Sequence, residues 1–195
     1  MMLSKTMIRI ISRKRLNITR FVFGVCVIEL LLNGITTSHS QDYDLILCII
    51  GSLSILFGNV IRSWAAGIVH KKRIIAETGP YSLWRHPLYL GSAQVAVGFG
   101  LLLNDLFCWI GIILLFLIVY PTTIKKEESD MRDLHGKRWD DYVSNVGLII
   151  PRHLTWNRIF DNWSYKQWVI NKEYNALFTS LIGWNLIQIM GMLQG

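Results

Sequence analysis

Four apolar blocks, Phe21–Ile35, Leu45–Ile61, Leu88–Leu103 and Leu106–Tyr120, dominate this 195-residue chain. A fifth, Ala176–Leu193, is diluted by Asn185 and Gln188. Each block holds roughly 15–18 residues, short of the ~20 that cross a bilayer upright. Any one of them alone could be a buried core helix. Four in a chain long enough for a single domain leave too little polar sequence to cover them all. The blocks therefore predict an all-α, polytopic membrane protein of about five transmembrane helices.

The charges sort in step with the blocks. All 20 Lys and Arg residues lie outside the four strong blocks. They also avoid the connections 36–44 and 104–105, whose charges are Asp42, Asp44 and Asp105. The basic stretches are 5–20, 62–85 and 125–172. If the blocks cross in turn, all three fall on one side, which the positive-inside rule makes cytoplasmic. The N-terminus then lies in the cytoplasm, and the net charge of +7 reads as attraction to anionic membrane lipids. Charge dispersed between spans is not the clustered footprint of a nucleic-acid binder, so none is expected as a partner.

Cys26, Cys48 and Cys108 all sit inside apolar blocks without metal-ligand spacing, so no metal site is expected. The sequons at Asn17 and Asn162 fall on the expected cytoplasmic side and should stay unglycosylated. The basic N-terminus before an apolar stretch resembles a signal peptide. No convincing small-residue cleavage site follows 21–32, so the block is read as a retained first span.

Along the chain, residues 1–19 read as a basic interfacial segment, with Ile8, Ile11 and Arg15 at helical spacing. Asn33-Gly34 is a helix stop. Thr78-Gly79-Pro80 is a turn signal, and Asn104-Asp105 reads as a tight outer turn. The fourth span should end near Pro121. The stretch 125–146 then reads as a separate amphipathic helix, with Met131, Leu134, Arg138 and Tyr142 near one face. Glu127 and Glu128 would lie in its first turn, where the helix dipole favours acids. Pro151, Trp156, Trp163 and Trp168 among bases suit a segment in the headgroup zone. The chain reads as one membrane domain over 1–195, with an interfacial segment and the last hydrophobic helix in 153–195.

The polar segment between the second and third strong blocks carries the chemistry. It runs from Glu77 through Gly79, Pro80, Tyr81, Trp84, Arg85, His86, Pro87 and Tyr89 to Gly91. Gly79-Pro80 forces a turn, and Pro87 biases His86 away from helix. Arg85 and His86 thus sit on irregular backbone at the mouth of a span. Such backbone survives at membrane depth only where protein or a watery cavity covers it, and ionisable residues there are functional candidates. The bland alternative is an interfacial anchor, with Arg85 on phosphates and Tyr81, Trp84 and Tyr89 in an aromatic belt. Glu127 and Glu128 have a bland reading too, as surface acids pairing with Arg132 at helical spacing.

Here the chain resembles the isoprenylcysteine carboxyl methyltransferase and phospholipid methyltransferase group of membrane enzymes. That group carries an element Gly-x-Tyr-x-x-x-Arg-His-Pro-x-Tyr-x-Gly. It is matched at Gly79, Tyr81, Arg85, His86, Pro87, Tyr89 and Gly91, with Pro80 at a free position. The group's second element is a pair of acids, a hydrophobic residue, Phe-Gly, two aromatics and a late Ile-Pro. It is matched at Glu127, Glu128, Met131, Gly136, Tyr142, Ile150 and Pro151. Two positions depart: His135 stands where the family usually has Phe, and Trp139 where it usually has Tyr. Both follow the acids, so they bear on packing or acceptor fit more than on cofactor binding. The resemblance covers roughly residues 45–152, the methyltransferase-like core.

The resemblance implies that S-adenosylmethionine binds on the cytoplasmic side. Its implied contacts are Tyr81, Arg85, His86, Pro87, Tyr89, Gly91, Glu127 and Glu128, with Arg85, His86 and Glu128 catalytic. Carboxylates suit a ribose or amino group, and a sulfonium suits carboxylates and aromatic faces. No soluble dinucleotide-type fingerprint is present, because Gly98-Phe-Gly100 lacks the further glycine.

The implied activity is methyl transfer to a lipid-like or prenylated acceptor. A carboxylate acceptor needs no base, and Arg85 could orient it. An amine acceptor must first lose a proton, to His86, His135 or a Glu. The sequence leaves this choice open. It also leaves two rivals: an NADPH-dependent membrane reductase of the sterol-reductase kind, and a non-catalytic membrane scaffold.

Overall fold

The computed structural model describes residues 41–70, 74–152 and 161–194, with scattered positions before residue 26. The expected interfacial segment at 1–19 and the first apolar block therefore lie largely outside the described residues. So does all of 153–160. Among the described residues every regular element is helical, and β-pairing is limited to one isolated bridge, Trp84 with Gly147.

Helix α1 spans Gln41–Ala66, and a 3-10 turn covers Gly79–Ser82. Helix α2 spans Pro87–Leu103 and α3 spans Leu106–Leu114. A π-helical turn, Leu115–Val119, joins α3 to α4, Tyr120–His135. Helices α5 (Lys137–Asn145), α6 (Tyr165–Ile170) and α7 (Glu173–Gln194) complete the order.

Among the described residues, two helical segments are long and apolar enough to cross a membrane, Leu45–Ala66 and Leu106–His135, of 22 and 30 residues. Both turn large apolar side chains outward, among them Leu45, Ile49, Leu53 and Val60 on the first and Phe107, Ile110 and Leu117 on the second. A soluble core helix would bury that face. Two is fewer than the five expected. Helix α2 has 17 residues, about 26 Å at 1.5 Å per residue. That falls short of a ~30 Å hydrocarbon layer. Helix α7 is long enough, but Asn175, Ser180, Asn185 and Gln188 dilute it.

The fourth span does not stop at Pro121. A proline inside a helix has no N–H to donate, and its ring would clash with the carbonyl four residues back. The wide turn immediately before it supplies the room: the Tyr120 N–H reaches back five residues, to the Leu115 carbonyl. The helix then runs on to His135. Glu127 and Glu128 accordingly sit well inside α4, not in a first turn, and the dipole reading is withdrawn. Gly136, at φ +53°, breaks the expected amphipathic helix into α4 and α5.

The chain packs as two units, Met1–Ile55, Ala96–Glu128 and Gly183–Gly195 forming one, Leu56–Val95 and Ser129–Ile182 the other. In the first, the backbones of α1 and α2 touch at Gly51 and Gly98. A methyl group on Gly51 would come within 2.9 Å of the Gly98 carbonyl oxygen, and one on Gly98 within 2.6 Å of that of Gly51. Small residues permit this approach where apolar solvent offers no hydrophobic drive. Helix α7 joins α1 through polar groups: the Trp184 indole donates to Ser52 Oγ at 2.9 Å, and Cys48 Sγ donates to Gln188 Oε1 at 3.4 Å. Gln188 thus bonds α7 to α1. Asp105 caps α3, accepting from the Cys108 N–H at 2.8 Å, while Asn104 takes φ +44°. The turn falls at Asn104-Asp105, as the sequence predicts.

In the second unit the glycine contact recurs, with a methyl group on Gly58 falling 2.6 Å from the Gly91 carbonyl oxygen. Arg62 binds Glu173 through two nitrogens, at 2.7 and 3.1 Å, and also donates to Ser92. Ser180 donates to Asn59 Oδ1 at 2.9 Å. The carbonyls at and beyond the end of α1 are satisfied by the segment around α6. Trp163 donates to Ser63, the Ser164 N–H to Gly67, and Asn171 to Ala66 and Val69. Orphan helix-end carbonyls need such partners when buried.

Candidate active site

The first element folds by local rules. Gly79 takes φ +59°, open to glycine at no steric cost, and Pro80 fixes the next dihedral. Ser82 Oγ donates back to the Gly79 carbonyl at 2.7 Å, and the Trp84 N–H to that of Pro80 at 2.9 Å. The chain then extends, and the Arg85 N–H donates to the Gly147 carbonyl at 3.0 Å. His86 stays outside the helix, as its neighbour Pro87 dictates. Its carbonyl accepts the N–H groups of Tyr89 and Leu90, at 3.0 and 3.1 Å, so it caps α2 while Pro87 occupies the first helical position. The His86 and Tyr89 rings meet edge to face, centroids 5.8 Å apart.

From Met131 onward, the second element meets the first within the same unit. Trp139 and Tyr142 of α5 pack into a core with Ile75 and Val146, against which Met131 lies. The Tyr142 hydroxyl donates to the Tyr81 carbonyl at 2.8 Å. Arg138 pairs with Glu77 at 3.1 Å. Gly147 is required at the bridge to Trp84, since a methyl group there would fall 1.8 Å from the Ile150 carbonyl oxygen. The turn therefore holds Arg85 and His86 against the stretch that follows the acids.

The sequence-derived residues stand in different settings. The Tyr81 ring is buried in a cluster with Ala65 and Ile68 that Leu88 also packs against. Gly91 answers to Gly58 and Arg62, and Pro87 is fully buried. These three shape the turn. Arg85, His86 and Tyr89 are half-buried and carry the element's accessible chemistry. Glu127 and Glu128, also half-buried, belong to the first unit, and Tyr81, Arg85, His86, Pro87, Tyr89 and Gly91 to the second. Arg132 makes an exposed ion pair with Asp140, at 2.8 Å. Sequence reasoning missed Gly147 and the Arg62–Glu173 pair. A lone arginine at the end of an apolar block was the available signal for the pair.

Within the second unit, the Arg85 guanidinium is of a kind that suits a carboxylate, and the Tyr89 ring of a kind that suits a cation. Among the described residues, no group of His, Cys, Asp and Glu could hold a metal ion.

The family model for the isoprenylcysteine carboxyl methyltransferase (ICMT) family matches residues 45–133. A nickel-cobalt-cadmium resistance protein of Alcaligenes xylosoxydans xylosoxydans is 30% identical over 148 residues, 73% of this chain and 67% of the relative. A cobalt-zinc-cadmium resistance protein of Cupriavidus metallidurans is 29% identical over 152 residues, 77% of this chain and 69% of the relative. Protein-S-isoprenylcysteine O-methyltransferase of Xenopus laevis is 30% identical over 117 residues, 54% of this chain and 41% of that protein. No solved structure matches. The chain belongs to the isoprenylcysteine carboxyl methyltransferase family.

Proposed function

We propose that this chain is a multi-pass membrane methyltransferase that moves a methyl group from S-adenosylmethionine to the carboxylate of an S-prenylcysteine-like acceptor. The carrying observation is the joint between the two elements, Tyr142 on the Tyr81 carbonyl and the Arg85 N–H on that of Gly147. It immobilises the backbone that presents Arg85 and His86. The family relationship supplies the reaction class, and the name of the Xenopus laevis relative supplies the acceptor class. The names of the two resistance proteins state a resistance and not a reaction.

S-adenosylmethionine supplies an electrophilic methyl group when bound. In this proposal Glu127 and Glu128 bind its ammonium and ribose hydroxyls, and Arg85 orients the acceptor carboxylate. The acceptor carboxylate is already nucleophilic, so no base is needed. Its oxygen forms a bond to the methyl carbon as the carbon–sulfur bond breaks, and that electron pair returns to sulfur. The protein's task is to hold the two at near-attack distance and to exclude water. The active site faces the cytoplasm, and an apolar tail enters from the bilayer between helices.

Membranes carrying the chain should transfer tritiated methyl from S-adenosylmethionine to N-acetyl-S-farnesylcysteine as an alkali-labile ester. Label no higher than in control membranes contradicts the proposal. Alkali-stable label in endogenous lipid would instead assign an amine acceptor.

A further inference from the structure

The junction of α4 and α5 carries two buried ring nitrogens with nothing to bond. Trp139 is only 4% exposed, yet its indole Nε1 has no hydrogen-bond partner among the described residues. The Nε2 of His135, four residues earlier, is likewise buried and unbonded. Native structures rarely leave buried polar atoms in this state, and each such atom calls for an explanation.

Packing alone does not explain the indole nitrogen. The residues around Trp139 are Ile75, Tyr142 and Val146, with Met131 and Val143 against them. They would accept a phenyl ring without leaving a donor stranded. Nor is the position remote from the candidate site. The Trp139 ring stands 5.4 Å from that of Tyr142, whose hydroxyl holds the Tyr81 carbonyl. Met131, packed on the same cluster, follows Glu128 by one helical turn. His135 and Trp139 are also the two positions at which the second element departs from the family pattern. Each departure places a ring nitrogen where that pattern has a phenyl or a phenol.

We propose that Trp139 and His135 are specificity-determining residues that bind the polar head of the methyl acceptor, with the Trp139 Nε1–H donating to one of its oxygens. The proposal rests on the acceptor methylation argued above. An indole nitrogen donates and cannot accept, so its partner must offer a lone pair. A carboxylate can give one lone pair to the indole and still attack with another. An amine has one lone pair, and a donor bonded to it would remove the nucleophile. The head group these residues fit is therefore an anionic carboxylate on an apolar tail.

The test uses the full chain in lipid nanodiscs, with N-acetyl-S-farnesylcysteine, its methyl ester and S-adenosylhomocysteine as separate probes. Wild type should bind the acid more tightly than the ester. Trp139→Phe keeps the ring and removes the donor. It should bind the acid about tenfold more weakly, as loss of one hydrogen bond to a charged group implies. Ester and S-adenosylhomocysteine affinities should not change. His135→Phe should shift the acid in the same direction. A Trp139→Phe variant that keeps the wild-type preference for acid over ester overturns the proposal, as does a wild type that shows none. Loss of S-adenosylhomocysteine binding in wild type would sink the methyl-transfer reading, while the acid-to-ester ratio would still decide this one. Should Trp139→Phe fail to fold, the Trp139 indole N–H resonance of wild type decides. A downfield shift with the acid alone supports the proposal, and no shift overturns it.

Discussion

The Tyr142 hydroxyl donates to the backbone carbonyl of Tyr81 at 2.8 Å, joining stretches 61 positions apart through a buried hydrogen bond. Tyr142→Phe leaves that carbonyl without its donor at nearly unchanged volume. The expected loss is about 1–2 kcal/mol of stability, read as a lower melting temperature in detergent. S-adenosylhomocysteine should bind more weakly as the turn carrying Arg85 and His86 loosens. An unchanged melting temperature and affinity would mean that the joint carries no strain of the site.

The close approach of α1 and α2 makes a second prediction. Gly58→Val places carbon where the Gly91 carbonyl oxygen and Val95 already stand, at 2.6 and 2.8 Å from the first added atom. Overpacking of this kind costs about 1–3 kcal/mol. Gly136→Ala meets nothing within 4 Å and bears only the penalty of φ +53°. The valine variant should therefore be the less stable of the two by thermal unfolding.

Arg62 and Glu173 form a two-point ion pair, with Glu173 7% exposed at its side chain. Removing one partner of a largely buried pair leaves a charge uncompensated, at about 3 kcal/mol or more. Glu173→Gln should destabilise accordingly, and the double variant Arg62→Leu/Glu173→Leu should recover most of the loss. If the double variant is no better than the single one, the pair is not the source of the stability.

How far the sequence showed all this depends on the range of the interaction. The block Leu45–Ile61 lies within α1, Asn104-Asp105 makes its turn, and Pro87 starts α2, because caps and prolines act within a few residues. Pro121 misled because the π turn that absorbs it has no signature of its own. The charges after Lys125 then looked like a new helix, whereas the chain meets no glycine until Gly136 and continues. The Arg85–Gly147 and Arg62–Glu173 contacts depend on packing between distant segments, and no local pattern encodes them. The match at Gly91 was found from the motif, but the structure gives it a packing reason, its contact with Gly58.

Lys137, exposed at the start of α5, provides a control. Lys137→Ala should leave methyl transfer and stability within about 0.5 kcal/mol of wild type. A large loss of activity would show that the polar face of α5 has been misassigned.

The central proposal is that His86 and Glu128 each contribute to binding S-adenosylmethionine. Calorimetric titration of S-adenosylhomocysteine into nanodisc-embedded protein tests it most directly. Wild type should bind, and His86→Ala and Glu128→Ala should each lose that binding while still inserting into membranes. A wild type that does not bind, or both variants binding as wild type does, would contradict it.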